Sequence, residues 1–334
     1  MRAVVLVGGF GTRLRPLTLS VPKPMLTVGH VPIIERLVAN LVRGGVTDVT
    51  LALGFKPEPF LAAFPDGTCA GAQLHYAVEP EPLDTAGAIR FAAEARGIEE
   101  TFVVANGDVL TDLDVAALVR FHRSRGAEAT LHLIGVDDPS SFGVVAIDVD
   151  GRIERFVEKP APGTAPTNLI NAGTYVLEPS VVRRIAPGVK VSIERVTFPD
   201  LVADGSAFAV ATHDYWLDTG TPDLYRQANL DLLAGRRLHD TCEAVAPGAE
   251  VAPGAVLEDA VVGSGARVAA GAHLVRSVLL AGADVGAGAS VRDSVVMGRV
   301  GAGASIDGCV IGAGAQVGPA EALSHVRRPD PDAA

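Results

Sequence analysis

The chain has 334 residues, 48% of them hydrophobic, enough to bury a full core, and its length suggests two domains. Its formal net charge of −11 argues against a surface built for nucleic acid or for anionic membrane, since either needs clustered Lys and Arg. The three cysteines, Cys69, Cys242 and Cys309, lie far apart with no CxxC pair, so neither a zinc site nor a disulfide framework is indicated.

In chain order, AVVLV (3–7) reads as a buried strand that runs straight into GGFGTRLRPLT (8–18). A helix is expected over 33–45, where Ile34, Leu37, Leu41 and Val42 share a face. VTLAL (49–53) and LHYAV (74–78) read as strands, TAGAIRFAAEAR (85–96) as a helix and TFVVA (101–105) as a buried strand. A helix over 114–125 then leads into ATLHLIGV (129–136). This alternation predicts an α/β domain over residues 1–235, a Rossmann-like and mostly parallel sheet with helices on both faces. Ligands of such sheets bind at the carboxyl ends of the strands, where the polar motifs fall here. The N-terminal apolar run is too short for a signal-peptide core and no run approaches a membrane span, so a soluble cytoplasmic protein is expected.

Composition changes near Leu238, and a linker is expected over 236–244. From Val245 the hexads VAPGAE, VAPGAV, VAAGAH, VGAGAS and VGAGAS follow, each opening on an aliphatic residue. The hexads at Val251, Val268 and Val285 start 17 residues apart, Val300 comes 15 later and Val317 17 after that. One aliphatic residue per side, with Gly and Ala at the corners, predicts a three-sided parallel β-helix over 245–320, expected to be left-handed. A linker of low complexity would not keep its aliphatics in register. Residues 321–334, ending PDPDAA, are expected to be a disordered tail.

The glycine turn after the first strand matches neither common nucleotide motif. A Rossmann site needs a third glycine, where Leu14 stands, and a P-loop, GxxxxGK[ST], needs its second glycine five residues after Gly8, where Arg13 stands. What remains is a loop whose backbone N–H groups can nest an anion, with Arg13 adding full charge. Lys23 is held between Pro22 and Pro24, so a cation for each end of a polyphosphate is in place. Taken alone, Asp108 after Asn106-Gly107 reads equally as a ligand or as an ordinary turn.

These residues resemble the signature of the sugar-1-phosphate nucleotidylyltransferases: GGxGTRLxPLT, then PKP. The stretches NGDV (106–109), FGVV (142–145), FVEKP (156–160), INAGTYVLE (170–178) and WLDTGTP (216–222) continue the resemblance in order. It covers about residues 1–320. The family chemistry it implies is in-line attack of a sugar-1-phosphate oxygen on the α-phosphorus of a nucleoside triphosphate, with pyrophosphate leaving. That nucleophile is already an anion at neutral pH, so catalysis reduces to holding two repelling anions together and neutralising the leaving group.

By the same resemblance, Asp108 and Asp218 hold Mg²⁺, Arg13 and Lys23 grip the leaving phosphates, and Lys159 binds the phosphate of the sugar. Nucleotide contacts are implied at Gly8, Gly9, Gly11, Thr12, Arg13, Glu79, Asp84, Thr85, Ala86 and Gly107. Sugar-phosphate contacts are implied at Gly143, Glu158, Lys159, Asn171 and Glu194. An exposed ion pair is the competing reading of Glu158. In EPEPLDTAG (79–87), Asp84 stands where family members with a guanine preference usually have glycine. Its carboxylate either accepts from guanine or only narrows the pocket, and Glu79 or Glu81 are alternative readers of the base. GTP and mannose 1-phosphate are the favoured substrates, with dTTP or UTP and glucose 1-phosphate or a cyclitol 1-phosphate as the alternative. A non-catalytic sugar-nucleotide sensor should have lost some of Arg13, Lys23, Asp108 or Asp218, and all four are present. His273 in the β-helix raises the thought of an acyltransferase, but a single histidine at a hexad's end reads as incidental, and Trp216 reads as packing beneath the Asp218 turn. The ends and flat faces of a β-helix need capping or pairing, so a homo-oligomer formed through that domain is expected.

Overall fold

The computed structural model describes residues 1–9, 11–54 and 57–331, and these fall into two compact units. The first holds residues 1–9 and 34–216, and the second holds 11–33 and 217–331 of the described chain.

At the centre of the first unit, the strand Arg2–Leu6 pairs in parallel with Phe102–Asn106 on one side and Asp48–Leu53 on the other. Ala72–Val78 adds a fourth parallel strand beyond Asp48–Leu53. Ala3, Val4, Val5 and Phe102 to Ala105 are fully buried, as expected for strands covered on both faces. On the other flank Leu169–Leu177 runs antiparallel to Phe102–Asn106. Antiparallel pairing continues to Gly143–Ile147, Ile153–Glu158 and Ala129–Gly135, so the sheet is mixed, with the expected parallel centre and an antiparallel flank. The helix Val115–Arg125 starts at Asp114, whose side chain accepts from Ala117 N (2.8 Å), and stops at left-handed Gly126. The core closes around Tyr175 and Phe198, whose rings meet edge to face with centroids 5.0 Å apart.

In the second unit three five-stranded parallel sheets form the β-helix. Val251, Val268, Val285, Val300 and Val317 stand in register up one side, and Val291, Ile306, Val296 and Ile311 fill the interior with them. The 15-residue step is absorbed at one corner: two residues (297–298) link Val295–Val296 to Arg299–Val300, where four (263–266) link the equivalent strands two coils earlier. Gly298 makes the short corner possible, since a Cβ there would sit 2.2 Å from Ala315 O.

Two boundaries differ from expectation. Ala322–Ser324 pairs with Ser305–Asp307, and Arg327–Arg328 pairs with Val310–Ile311, so the coil continues where a disordered tail was expected from 321. One of its strands is hard to see in the sequence because Arg327 and Arg328 stand opposite Val310 and Ile311, yet backbone pairing, the packing of Leu323 and Val326 on the core and an ion pair between Arg328 and Glu321 (2.8 Å) hold the coil. Residues 332–334 of that expected tail lie outside the described residues. Secondly, residues 11–33 cluster with the C-terminal part of the chain. The hydroxyl of fully buried Tyr225 donates to Thr27 O, and Gly29 N donates to Asn229 Oδ1 (2.8 Å). Both partners stand on the helix Pro222–Leu233, whose first turn is capped by Thr221.

Candidate active site

In the first unit the carboxyl ends of the four parallel strands share one edge. Gly8 and Gly9 follow Arg2–Leu6, Gly54 follows Asp48–Leu53, Glu79 follows Ala72–Val78, and Asp108 follows Phe102–Asn106. Gly107 is needed for the last of these turns, because a Cβ would lie 2.4 Å from Val7 Cγ1 and 2.8 Å from Leu6 O. Its own N–H donates to that same carbonyl at 2.8 Å, which ties the turn before Asp108 to the strand before Gly8. Glu79 is buried and accepts from Leu83 N (2.8 Å). Burial raises its pKa, the Leu83 bond opposes this, and Asp84 adds to the rise.

Asp84 has φ +59°, in the left-handed region, and its Oδ1 accepts from Thr85 N at 2.8 Å. Glycine at this place is therefore explained by backbone conformation, and Asp is among the few side chains that tolerate it. Ala86 is fully buried and its N–H donates to Val191 O (2.9 Å). Thr85 does more than the sequence suggested. Its hydroxyl donates to Glu194 Oε2 and accepts from Ile193 N, each at 2.8 Å, joining an expected nucleotide position to an expected sugar-phosphate position. Glu194 lies in a π-helical turn, Ile193–Thr197, and also accepts from Ser192 Oγ (2.8 Å).

Gly143 and Glu158 stand directly opposite one another on paired strands. A Cβ on Gly143 would lie 3.0 Å from Glu158 Oε2, so the missing side chain makes room for the carboxylate. Burial raises the Glu158 pKa, Glu194 adds to the rise, and Lys159 and Arg195 oppose it. Lys159 itself is largely exposed, with Nζ 3.7 Å from Glu158 Oε1, and its φ of +48° marks a strained backbone for a side chain of this size.

Tyr175 was not singled out from the sequence. Four residues along a regular strand would separate it widely from Asn171, but the register slips between them: Asn171 faces Leu133 and Tyr175 faces Leu131. The bulge lets Asn171 Nδ2 donate to Tyr175 Oη at 2.8 Å, while Asn171 Oδ1 accepts from Gly173 N at 3.1 Å. The phenol is fully buried, and burial first, then Glu194, Glu158 and Asp108, hold its pKa well above the ordinary value against the opposing Asn171 bond. The readable signal was Gly173 between them, at φ +78° against the Asn106 side chain. Trp216 donates from Nε1 to Ala172 O in the same bulge (2.8 Å) and meets Phe142 edge-on, a packing role.

The remaining expected residues gather in the second unit. Gly11, at φ +59°, opens the 3₁₀ turn Thr12–Leu14, and a Cβ on it would meet Thr18 and Lys23. Thr18 Oγ1 donates to Gly11 O (2.8 Å). Lys23 is 6% exposed and donates from Nζ to Asp218 Oδ1 at 3.3 Å. Arg13, with its side chain 67% exposed, lies 3.8 Å from Asp218 Oδ2. Gly220 keeps this approach open, because a Cβ there would stand 2.8 Å from Arg13 Nη2. Thr12 is exposed on the same turn. One carboxylate thus meets two cations, an arrangement able to receive a polyanion. His273 is accounted for separately, as an exposed pair with Glu258 on the β-helix (2.9 Å).

Comparison with known proteins gives a consistent picture. A family model described as nucleotidyl transferase matches residues 2–235, and one described as GlmU-like, C-terminal hexapeptide matches 236–328. The chain is 44% identical over 264 residues to a mannose-1-phosphate guanylyltransferase of Mycobacterium tuberculosis, covering 76% of this chain and 72% of the relative. It is 40% identical over 263 residues to a mannose-1-phosphate guanyltransferase of Schizosaccharomyces pombe, covering 78% and 71%. The crystal structure of HddC from Yersinia pseudotuberculosis in complex with GMP-PN matches with a TM-score of 0.58 and 31% identity, over 68% of this chain and 97% of HddC.

Proposed function

The chain belongs to the nucleotidyl transferase family, and from that premise we propose that it joins GTP to mannose 1-phosphate, releasing pyrophosphate and GDP-mannose. The observation that carries this reading is the cluster of Lys23, Arg13 and Asp218, two cations on a glycine-opened turn and its neighbour, built to take a polyanion. The choice of GTP and mannose 1-phosphate is supported by the names of the relatives, and guanine also by the ligand of HddC.

In this reading, Arg13 and Lys23 neutralise the leaving pyrophosphate, and Gly8, Gly9, Gly11 and Thr12 are each nucleotide contacts. Glu79, Asp84, Thr85, Ala86 and Gly107 take the nucleotide. Lys159 binds the phosphate of the sugar. Glu158, Asn171 and Glu194 accept from or donate to sugar hydroxyls, with Gly143 giving room. No general base is required, because the attacking phosphate oxygen is already ionised. Removing one such preorganised charge costs about 10²–10³ in rate.

Asp108 and Asp218 are each proposed as carboxylate ligands of Mg²⁺. The donor chemistry fits: hard oxygens suit a cation that is commonly held by one or two carboxylates together with substrate phosphates. When bound, the ion supplies charge neutralisation of phosphate oxygens. Among the described residues no helix is long and apolar enough to cross a membrane, and we place the enzyme in the cytoplasm. We also propose self-association through the β-helix, which sedimentation of the full chain as a single monomeric species would reject.

A panel of nucleoside triphosphates and sugar 1-phosphates, read by pyrophosphate release, tests the substrates. GTP with mannose 1-phosphate is expected to give the highest kcat/KM. Preference for dTTP or UTP with glucose 1-phosphate or a cyclitol 1-phosphate would move the assignment within the family. Release by no pair would overturn the activity.

A further inference from the structure

The last coil of the β-helix reaches the turn that carries Arg13. Arg327 Nη1 donates to Arg13 O at 3.1 Å and to Arg15 O at 3.4 Å. The turn's own backbone bonds, Leu14 N to Gly11 O and Arg15 N to Thr12 O, use different carbonyls, so Arg327 adds restraint that the turn does not supply. Two further contacts come from neighbouring residues of the same end. Arg15 Nη1 donates to Pro331 O at 3.5 Å, and Gly312 packs so closely on Pro16 that a Cβ would stand 2.9 Å from Pro16 Cβ. These partners are some 300 residues apart in the chain, yet they lie within one compact unit.

Arg13 needs such restraint. Its side chain is largely exposed and its nearest carboxylate is 3.8 Å away, so side-chain contacts alone leave its direction loosely set. A flexible guanidinium must be pre-positioned if it is to stabilise charge that appears only as the reaction proceeds. We propose that Arg327 is a positioning residue for Arg13, clamping the carbonyls of Arg13 and of Arg15 at the end of the turn so that the guanidinium stays aimed at the departing pyrophosphate. The inference rests on the reading of Arg13 given above. It also gives the C-terminal coil a task in the reaction, beyond the self-association proposed for the β-helix.

The test is steady-state kinetics in the reverse direction, with pyrophosphate as the varied substrate and the nucleotide sugar that the panel selects held saturating. Arg327→Ala is expected to raise the KM for pyrophosphate about threefold to tenfold. The forward KM for the sugar 1-phosphate and the melting temperature should stay as in the parent. Arg327→Lys, which keeps a charged donor, should recover most of the loss, and Gly312→Ala should raise the same KM by pushing Pro16. In an Arg13→Ala background, Arg327→Ala should add nothing. An unchanged pyrophosphate KM in Arg327→Ala, or an equal rise with and without Arg13, would overturn the positioning role while leaving Arg13's own role standing. Should Arg13→Ala itself leave that KM unchanged, the reading of Arg13 fails and this inference falls with it.

Discussion

Lys23 is almost completely buried and meets Asp218 at 3.3 Å, with Arg13 on the carboxylate's other oxygen, whereas Glu158 in the first unit shares its surroundings with a second carboxylate, Glu194. The first cluster is rich in cations, and its one acid is paired. The second sets Glu158 and Glu194 against Lys159 and Arg195, and burial and the like charge of Glu194 push the Glu158 pKa up against the two cations. The contrast suits the roles proposed for the two clusters. Pyrophosphate carries negative charge that must be neutralised as it leaves, which buried Lys23 and exposed Arg13 can do. The hydroxyls of a sugar 1-phosphate can be held by half-buried carboxylates and an oriented amide, and its phosphate by Lys159.

The strongest way to break this division is Asp108→Asn, which should abolish Mg²⁺-dependent turnover while the melting temperature stays near that of the parent. Near-normal activity would remove Asp108 from the proposed metal ligands. Arg13→Ala should come next, lowering kcat about 10²–10³-fold, with little change in the forward KM for mannose 1-phosphate. Glu158→Gln should act on the other side, raising that KM about tenfold while the KM for pyrophosphate in the reverse reaction holds. If the two variants moved the same parameter, the assignment of pyrophosphate to one cluster and the sugar 1-phosphate to the other would fail.

Glu158→Gln also carries a pH signature. A carboxyl whose pKa is raised on folding stabilises the fold below its ordinary value of 4.5 and loses that contribution as pH rises through the raised value. Gln cannot ionise, so the melting temperature of the variant relative to the parent should climb as pH rises above 4.5. A difference that stays flat across that range would contradict the raised pKa. The smallest effect belongs to Asp84→Gly, expected to stabilise the protein by about 1 kcal/mol by relieving the left-handed backbone. The proposed preference for GTP should survive, and its collapse in the variant would make the Asp84 carboxylate a reader of the base.

What could be read in advance follows the range of the interactions. The β-helix was legible because each side needs one aliphatic residue per coil, and Val251, Val268 and Val285 keep that count. The coil carrying Ala322–Ser324 and Arg327–Arg328 was less so: Leu323 keeps the aliphatic place opposite Ile306, but Arg327 and Arg328 stand where the coil before has Val310 and Ile311. The parallel centre followed from apolar runs such as 3–7 and 101–105, but nothing local shows that Leu169–Leu177 turns the sheet antiparallel. Motif residues such as Lys23 and Asp218 were nameable from their stretches, and the fold brings these two within 3.3 Å. Tyr175 escaped because its contact with Asn171 depends on a bulge, and the bond of Thr85 to Glu194 because 109 residues separate the pair.

The most direct measurement follows a labelled phosphate. GTP labelled at its α-phosphate and GTP labelled at its γ-phosphate are each turned over with mannose 1-phosphate, and the products are separated. The account predicts that the α-label appears wholly in GDP-mannose and the γ-label wholly in pyrophosphate. Label from the α-position recovered in free GMP or GDP, or γ-label released as orthophosphate, would contradict nucleotidyl transfer.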